Sequence, residues 1–395
     1  MKPRVLFLDH TGSLGGAELF LLDVARDNLG SSLVVLLADG PFRERLEEVG
    51  VRVEVLPAPG SVSGVAREGG LRRDLLAVPG VVELARRVAK LSRSYDLIYA
   101  NSQKALIVGA LAGKVAGKPV IWHLHDLLTA DHFSRGHRRL AVLLSNHLVK
   151  RIIANSKAVA EALVEDGGRA EHLRVVYNGI DPLPFESVAP TEVDALRREL
   201  RLEGVPVVGV FSRLVPWKGQ HIILETLPYL PKVHALLVGE AIFGEQAYAT
   251  SLREQSKVLG IEDRVHFLGF RQDVPQLMCL SNVVAHTSVA PEPFGRVIVE
   301  GMLARRPVVA TRGGGAAEII EDGTNGFLIL PGDVEALARI LQGLLTNPGR
   351  ASALSEAGHA TALKHFSLQT MLERVTQQLW EVAEWRRSAS TKIKL

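Results

Sequence analysis

The chain carries two consecutive series of short apolar runs, each run parted from the next by an amphipathic stretch, and this alternation limits its fold more than any other feature. In the first half the runs are 5–8, 33–37, 51–56, 97–100, 120–122, 152–154 and 175–177. In the second they are 207–211, 235–238, 265–268, 283–286, 308–310 and 326–330. Short apolar runs spaced by helical periodicity read as βαβ units, whose parallel strands are covered by helices on both faces. The predicted class is α/β, with two Rossmann-like, doubly wound parallel-sheet domains. A Pro-rich stretch from Asp181 through Pro190 parts the two series, which predicts an N-terminal domain over 1–183 and a C-terminal one over 190–367. The last amphipathic segment, 368–388, has no strand after it and is expected to pack back on the N-terminal domain. Ligands of doubly wound sheets sit beyond the carboxyl ends of the strands, so the active site is expected in the cleft between the domains.

The bulk numbers fit this reading and narrow the setting. With 395 residues, 47% hydrophobic and 23% charged, the chain has enough apolar material for two cores. Its single cysteine, Cys279, allows neither an intrachain disulfide nor a thiolate metal cluster, which suits a reducing cytosol. The first apolar run is broken at Asp9 and no stretch reaches about 18 apolar residues, so neither a secretory leader nor a membrane span is expected. A net charge of +3 is too small to argue for nucleic acid, but the charge is uneven. Between Asp131 and Glu161 there is no acid, against Arg135, Arg138, Arg139, Lys150, Arg151 and Lys157. The segment 67–93 adds seven Lys or Arg against three acids. Both segments lie in the N-terminal domain and are expected either to touch an anionic membrane surface or to be ordinary solvated helix faces.

Four motifs carry chemistry. Gly12-Ser13-Leu14-Gly15-Gly16-Ala17-Glu18 is a Gly-rich loop opening a helix, in isolation no more than a tight turn. Trp122-His123-Leu124-His125-Asp126 ends a strand; His123 and His125 are expected to face opposite ways, which would make them a poor metal pair. Arg213 and Lys218 follow the first strand of the second series, two cations suited to a diphosphate. Glu292-Pro293-Phe294-Gly295 precedes a helical pattern, with Pro293 expected in the first turn, Glu292 at the helix entrance and Glu300 about two turns along. A helix N-terminus offers N–H groups to phosphate or sugar oxygens.

The spacing Glu292 to Glu300, with Phe294-Gly295 after the first Glu and Pro307-Val308-Val309-Ala310-Thr311 beyond, closely resembles the signature of glycosyltransferase family 4, retaining enzymes of GT-B fold. Gly209 to Gly219, Gly15-Gly16-Ala17-Glu18 and His125-Asp126 resemble further landmarks of that family, although Ser212 stands where Gly is usual. The resemblance implies a nucleotide-diphosphate sugar as donor, UDP favoured over GDP, and a hydroxyl acceptor, with a lipid-linked or polysaccharide-precursor acceptor expected. It implies that Glu292 and the amides of Phe294 and Gly295 hold the donor sugar, that Glu300 holds the ribose, that Phe270 meets the base, and that Gly15 and Gly16 lie near the phosphates. His125 would stand at the reacting face, and Arg213 and Lys218 would balance charge on the leaving diphosphate without a metal or any cofactor beyond the donor. Another GT-B activity, such as a sugar-nucleotide epimerase, and a non-catalytic sugar-nucleotide-binding subunit are the rival readings.

Overall fold

The computed structural model describes residues 2–58, 71–130, 133–242 and 244–392. The chain forms two compact units, one made of the chain up to Gly179 together with the C-terminal helix from Gln369, the other of Ile180–Leu368.

The first unit is built on seven strands: β1 (Val5–Asp9), β2 (Ser32–Leu36), β3 (Val53–Val55), β4 (Leu97–Ala100), β5 (Val120–Leu124), β6 (Arg151–Ala154) and β7 (Leu173–Val175). They pair in parallel in the order β3-β2-β1-β4-β5-β6-β7. The central strands read as unbroken apolar runs because helices cover both faces, and Leu6, Leu8, Ile98, Trp122 and Ile152 are buried in one continuous core. The order reverses between β1 and β4, and the chain ends of those two strands, Asp9 and Asn101, border the crevice that such a reversal opens. The helix Leu368–Lys392 joins this unit through Val375, Leu379 and Val382, all buried. Gly179 N–H donates to Met371 Sδ at 3.0 Å, and Arg151 pairs with Glu381 at 2.9 Å.

The second unit has six parallel strands: β8 (Val207–Phe211), β9 (His234–Val238), β10 (Val265–Gly269), β11 (Val283–His286), β12 (Val308–Thr311) and β13 (Phe327–Ile329). Their order is β10-β9-β8-β11-β12-β13, with the reversal between β8 and β11. Val208, Val210, Ile223, Leu237, Ala285 and Leu341 lie in its core. Both sheets are doubly wound, as the alternation of runs predicts.

Candidate functional site

In the second unit the polar groups gather at the carboxyl ends of β8 and β11. The loop after β8 makes a single 3-10 turn, Pro216–Lys218, and Gly219 then starts the helix Gln220–Thr226 from a left-handed conformation, φ 67°. A Cβ at Gly219 would strike the Thr287 carbonyl, so only glycine lets this loop lie against the end of β11. Thr287 Oγ1 donates to the Lys218 carbonyl at 3.1 Å and Val289 N–H to the Trp217 carbonyl at 2.8 Å, completing the clamp. Ser212 has a use of its own: Gln220 Nε2 donates to its Oγ at 2.8 Å and to the Arg213 carbonyl at 2.7 Å.

The clamp delivers the Lys218 ammonium to Glu292. One oxygen of Glu292, Oε1, receives Lys218 Nζ, His286 Nε2 at 2.7 Å and Ser288 Oγ at 2.6 Å. Lys218 also lies over the Trp217 ring, 4.3 Å from its centroid. Burial pushes the Glu292 carboxyl up, but the charges and hydrogen bonds of Lys218 and His286 outweigh it and hold the carboxyl well below the ordinary carboxylate range. His286 Nδ1 is buried and meets no hydrogen-bond partner among the described residues. Phe211, Ser212, Lys218, His286 and Ser288 line a small cavity at this spot. A larger cavity of about 360 Å³ is lined by Glu186, Asp194, Cys279 and Arg306 among others, and holds none of the expected site residues.

The segment around Glu292 corrects one expectation. Pro293 is not in a first helical turn: Glu292 bridges Gly314 in extended pairing, and the helix runs Arg296–Leu303 from Gly295. Gly295, at φ 101°, turns the chain into the helix and so moves its start three residues on. The turn leaves the helix without a side-chain cap at its N-terminus. Phe294 is a core side chain, 5.8 Å centroid to centroid from Phe366, so only its backbone is placed to meet a ligand. Glu300 is pushed up by burial, which Arg296 at 3.6 Å opposes. Arg213 is exposed on the loop after β8, and Phe270, 69% exposed, follows the edge strand β10.

In the first unit Gly15 caps the helix Gly16–Asp27 with an extended backbone. A Cβ on Gly15 would stand 2.7 Å from Glu18 Oε2, so the glycine leaves room for that carboxyl to fold back over the helix start. Burial, then the charge of Asp9, raise the Glu18 carboxyl to about 7. Asp9 accepts from Asn101 Nδ2 at 2.6 Å, and Asn101 Oδ1 meets His125 Nε2 at 3.0 Å. The expectation that His123 and His125 diverge is wrong: their rings lie 3.8 Å apart, tilted by 34°. Residues two apart along an extended chain share a face, so His123 near the end of β5 and His125 just past it lie side by side. His123 itself is buried, driven well below the usual histidine range first by burial and then by His125, and its Nδ1 meets the Tyr99 hydroxyl at 2.8 Å. Its role is structural.

Two doubly wound parallel sheets, each with charged groups at its reversal point, define a protein of the Rossmann-like, nucleotide-binding class. Residues 14–182 match the family model "Glycosyltransferase Family 4" and residues 192–361 that of "Glycosyl transferases group 1". The chain belongs to glycosyltransferase family 4, with the two-domain GT-B fold. It is similar to Anabaena Alr3699/HepE, crystallised in complex with UDP, at 44% identity over 96% of this chain and 100% of that one, with a TM-score of 0.87. The same protein has been crystallised with UDP-glucose. Among curated relatives it is 30% identical over 228 residues to the lipopolysaccharide core biosynthesis glycosyltransferase LpsE of Rhizobium meliloti. It is 29% identical over 284 residues to the D-inositol 3-phosphate glycosyltransferase of Corynebacterium kroppenstedtii. The matches cover 58% and 67% of this chain but only 63% and 62% of those relatives, under two thirds of their length.

Sequence reasoning reached Lys218 and Glu292, which the structure joins, and missed His286, Ser288, Asp9 and Asn101. The available signal was a polar residue closing an apolar run: Asp9 after Val5–Leu8, and His286 after Val283–Ala285.

Proposed function

We propose that the protein is a retaining, metal-independent hexosyltransferase that moves a sugar from a nucleotide-diphosphate donor, UDP-glucose or a close relative, to a hydroxyl acceptor. The observation that carries this reading is the convergence of Lys218, His286 and Ser288 on one oxygen of Glu292, at the reversal point of the second sheet. Likeness at 44% identity to a protein crystallised with UDP and with UDP-glucose supports the choice of base. In this reading Glu292 Oε2 and the backbone at Phe294 and Gly295 take the sugar hydroxyls, Glu300 the ribose, and the backbone at Phe270 the base. Gly15 and Gly16 let the backbone approach the donor closely, and His125 faces the reacting carbon.

Transfer breaks the bond between the anomeric carbon and the diphosphate oxygen while the acceptor oxygen bonds that carbon from the same face. The acceptor's proton leaves with the diphosphate. Negative charge grows on the departing phosphate, and Arg213, Lys218 and helix N–H groups stabilise it as fixed donors, each worth on the order of a hundredfold in rate. Lys218 moves from Glu292 to the phosphate as the donor binds. We place the enzyme in the cytosol, its N-terminal unit reversibly touching an anionic membrane face, with a lipid-linked or polysaccharide-precursor acceptor.

The test is calorimetry with UDP-, GDP- and ADP-glucose, followed by release of the nucleotide in the presence of candidate acceptors. UDP-glucose should bind most tightly, and turnover should persist in excess EDTA. Joint replacement of Arg213 and Lys218 by Ala should lower kcat/KM by at least about a hundredfold. A double variant within about threefold of the parent would refute the donor-site assignment.

A further inference from the structure

Asn101, the first residue past β4, is fully buried, and its carboxamide touches three separate parts of the first unit. Nδ2 donates to Asp9 Oδ2 at 2.6 Å and to the Ala17 carbonyl at 3.1 Å, while Oδ1 lies 3.0 Å from His125 Nε2. The amide cannot be turned round. A carboxylate and a backbone carbonyl only accept, so the two N–H groups must face Asp9 and Ala17, and the amide oxygen is left for His125. That oxygen in turn only accepts, so His125 has to donate from Nε2.

The same contact ties the ring to the glycine loop, because Ala17 is in the first turn of the helix that Gly15 caps. His125 is further walled by the His123 ring at 3.8 Å and the Phe20 ring at 5.5 Å. The Asp9 carboxylate is held from its other side by the His10 backbone N–H and by His10 Nδ1.

We propose that Asn101, oriented by Asp9 and Ala17, is a positioning residue that fixes His125 as its Nε2–H tautomer. In the neutral ring the lone pair is then on Nδ1. The tautomer stands on the hydrogen bonds alone; its effect on turnover rests on the transferase reading.

The experiment is nitrogen NMR of the full chain labelled at histidine, with the His125 signal assigned by its loss in His125→Gln. At a pH where the ring is neutral, the parent should show the protonated nitrogen at Nε2. Asn101→Leu, which removes the acceptor, should give a mixture of tautomers. Asn101→Asp should restore the single tautomer, because two carboxyls at this distance share one proton and the second can donate to Asp9 while accepting from His125. Release of UDP from UDP-glucose should fall about tenfold or more in Asn101→Leu, with donor KM little changed. A parent spectrum with the proton on Nδ1, or an unchanged tautomer in a folded Asn101→Leu, would overturn the proposal. Should the spectra agree while the parent fails to bind or turn over any sugar nucleotide, the transferase reading fails and the tautomer assignment stands.

Discussion

Glu292 is a buried carboxylate that keeps its charge because one oxygen is met by three donors, and each donor should be felt in donor binding. His286→Leu keeps bulk but removes one hydrogen bond to a charged group, so the affinity for UDP-glucose should weaken by about tenfold, roughly 1.4 kcal/mol. His286→Gln, which can still donate, should recover most of it; calorimetry that finds the Leu variant as tight as the parent would remove His286 from the site. Glu18 poses the opposite case, an acid that burial and Asp9 lift to about 7. Its native value lies above the ordinary carboxyl value of 4.5, so between those pH values the folded state holds a proton that the unfolded chain has lost. Stability contributed by this proton is present at low pH and is lost as pH rises through the window, a total of about 3 kcal/mol. Glu18→Gln should therefore gain on the parent in denaturation midpoint as pH goes from about 5 to about 8, and a constant difference across that range would sink the assignment. Neither residue's state is legible in sequence: Glu18 is one acid among many until the fold sets Asp9 beside it, and His286 looks like the end of a strand.

At the scale of elements the sequence speaks more clearly, because periodicity is local and site geometry is not. The apolar runs place every strand to within about two residues, the largest slip being the last of the first series, read at 175–177 and observed at Leu173–Val175. What periodicity cannot see is the conformation of single turn residues. Gly295 delays a helix that Pro293 invited. Gly219 is the turn on which the donor-site reading leans. Gly219→Ala would force a left-handed φ on a residue with a Cβ and drive that Cβ into the Thr287 carbonyl. It should cost at least about 1 kcal/mol of stability and displace Lys218, so that donor affinity falls although residue 219 meets no ligand through a side chain. A variant with unchanged melting temperature and unchanged UDP-glucose affinity would show that the clamp is not needed.

For the whole molecule, charge counted along a sequence window misleads because partners come from elsewhere in the chain. Of the basic residues between Asp131 and Glu161, Arg138 pairs with Asp166 and Arg151 with Glu381, while Lys150 lies 3.9 Å over the Trp385 ring. Asp131 itself, and the start of the segment 67–93 with Arg67, lie outside the described residues. What remains is a face of the helix Arg135–Leu148 that carries no acid and presents Arg135, Arg139 and His147 beside Leu140 and Leu143, the last 56% exposed. Among the described residues no helix is long and apolar enough to cross a membrane. A basic face with exposed leucines suits shallow seating on anionic lipid instead, at about 1 kcal/mol per cation near the surface plus a small apolar contribution. The protein should co-float with vesicles containing anionic lipid at low salt, and not with neutral ones. About 0.5 M salt should release it as screening shortens. Arg135→Glu with Arg139→Glu should abolish flotation, and Leu143→Ser should weaken it, without changing the affinity for UDP-glucose in solution. Absence of flotation at low salt, or flotation that the charge reversals leave intact, would end the membrane assignment and point to an acceptor met in solution.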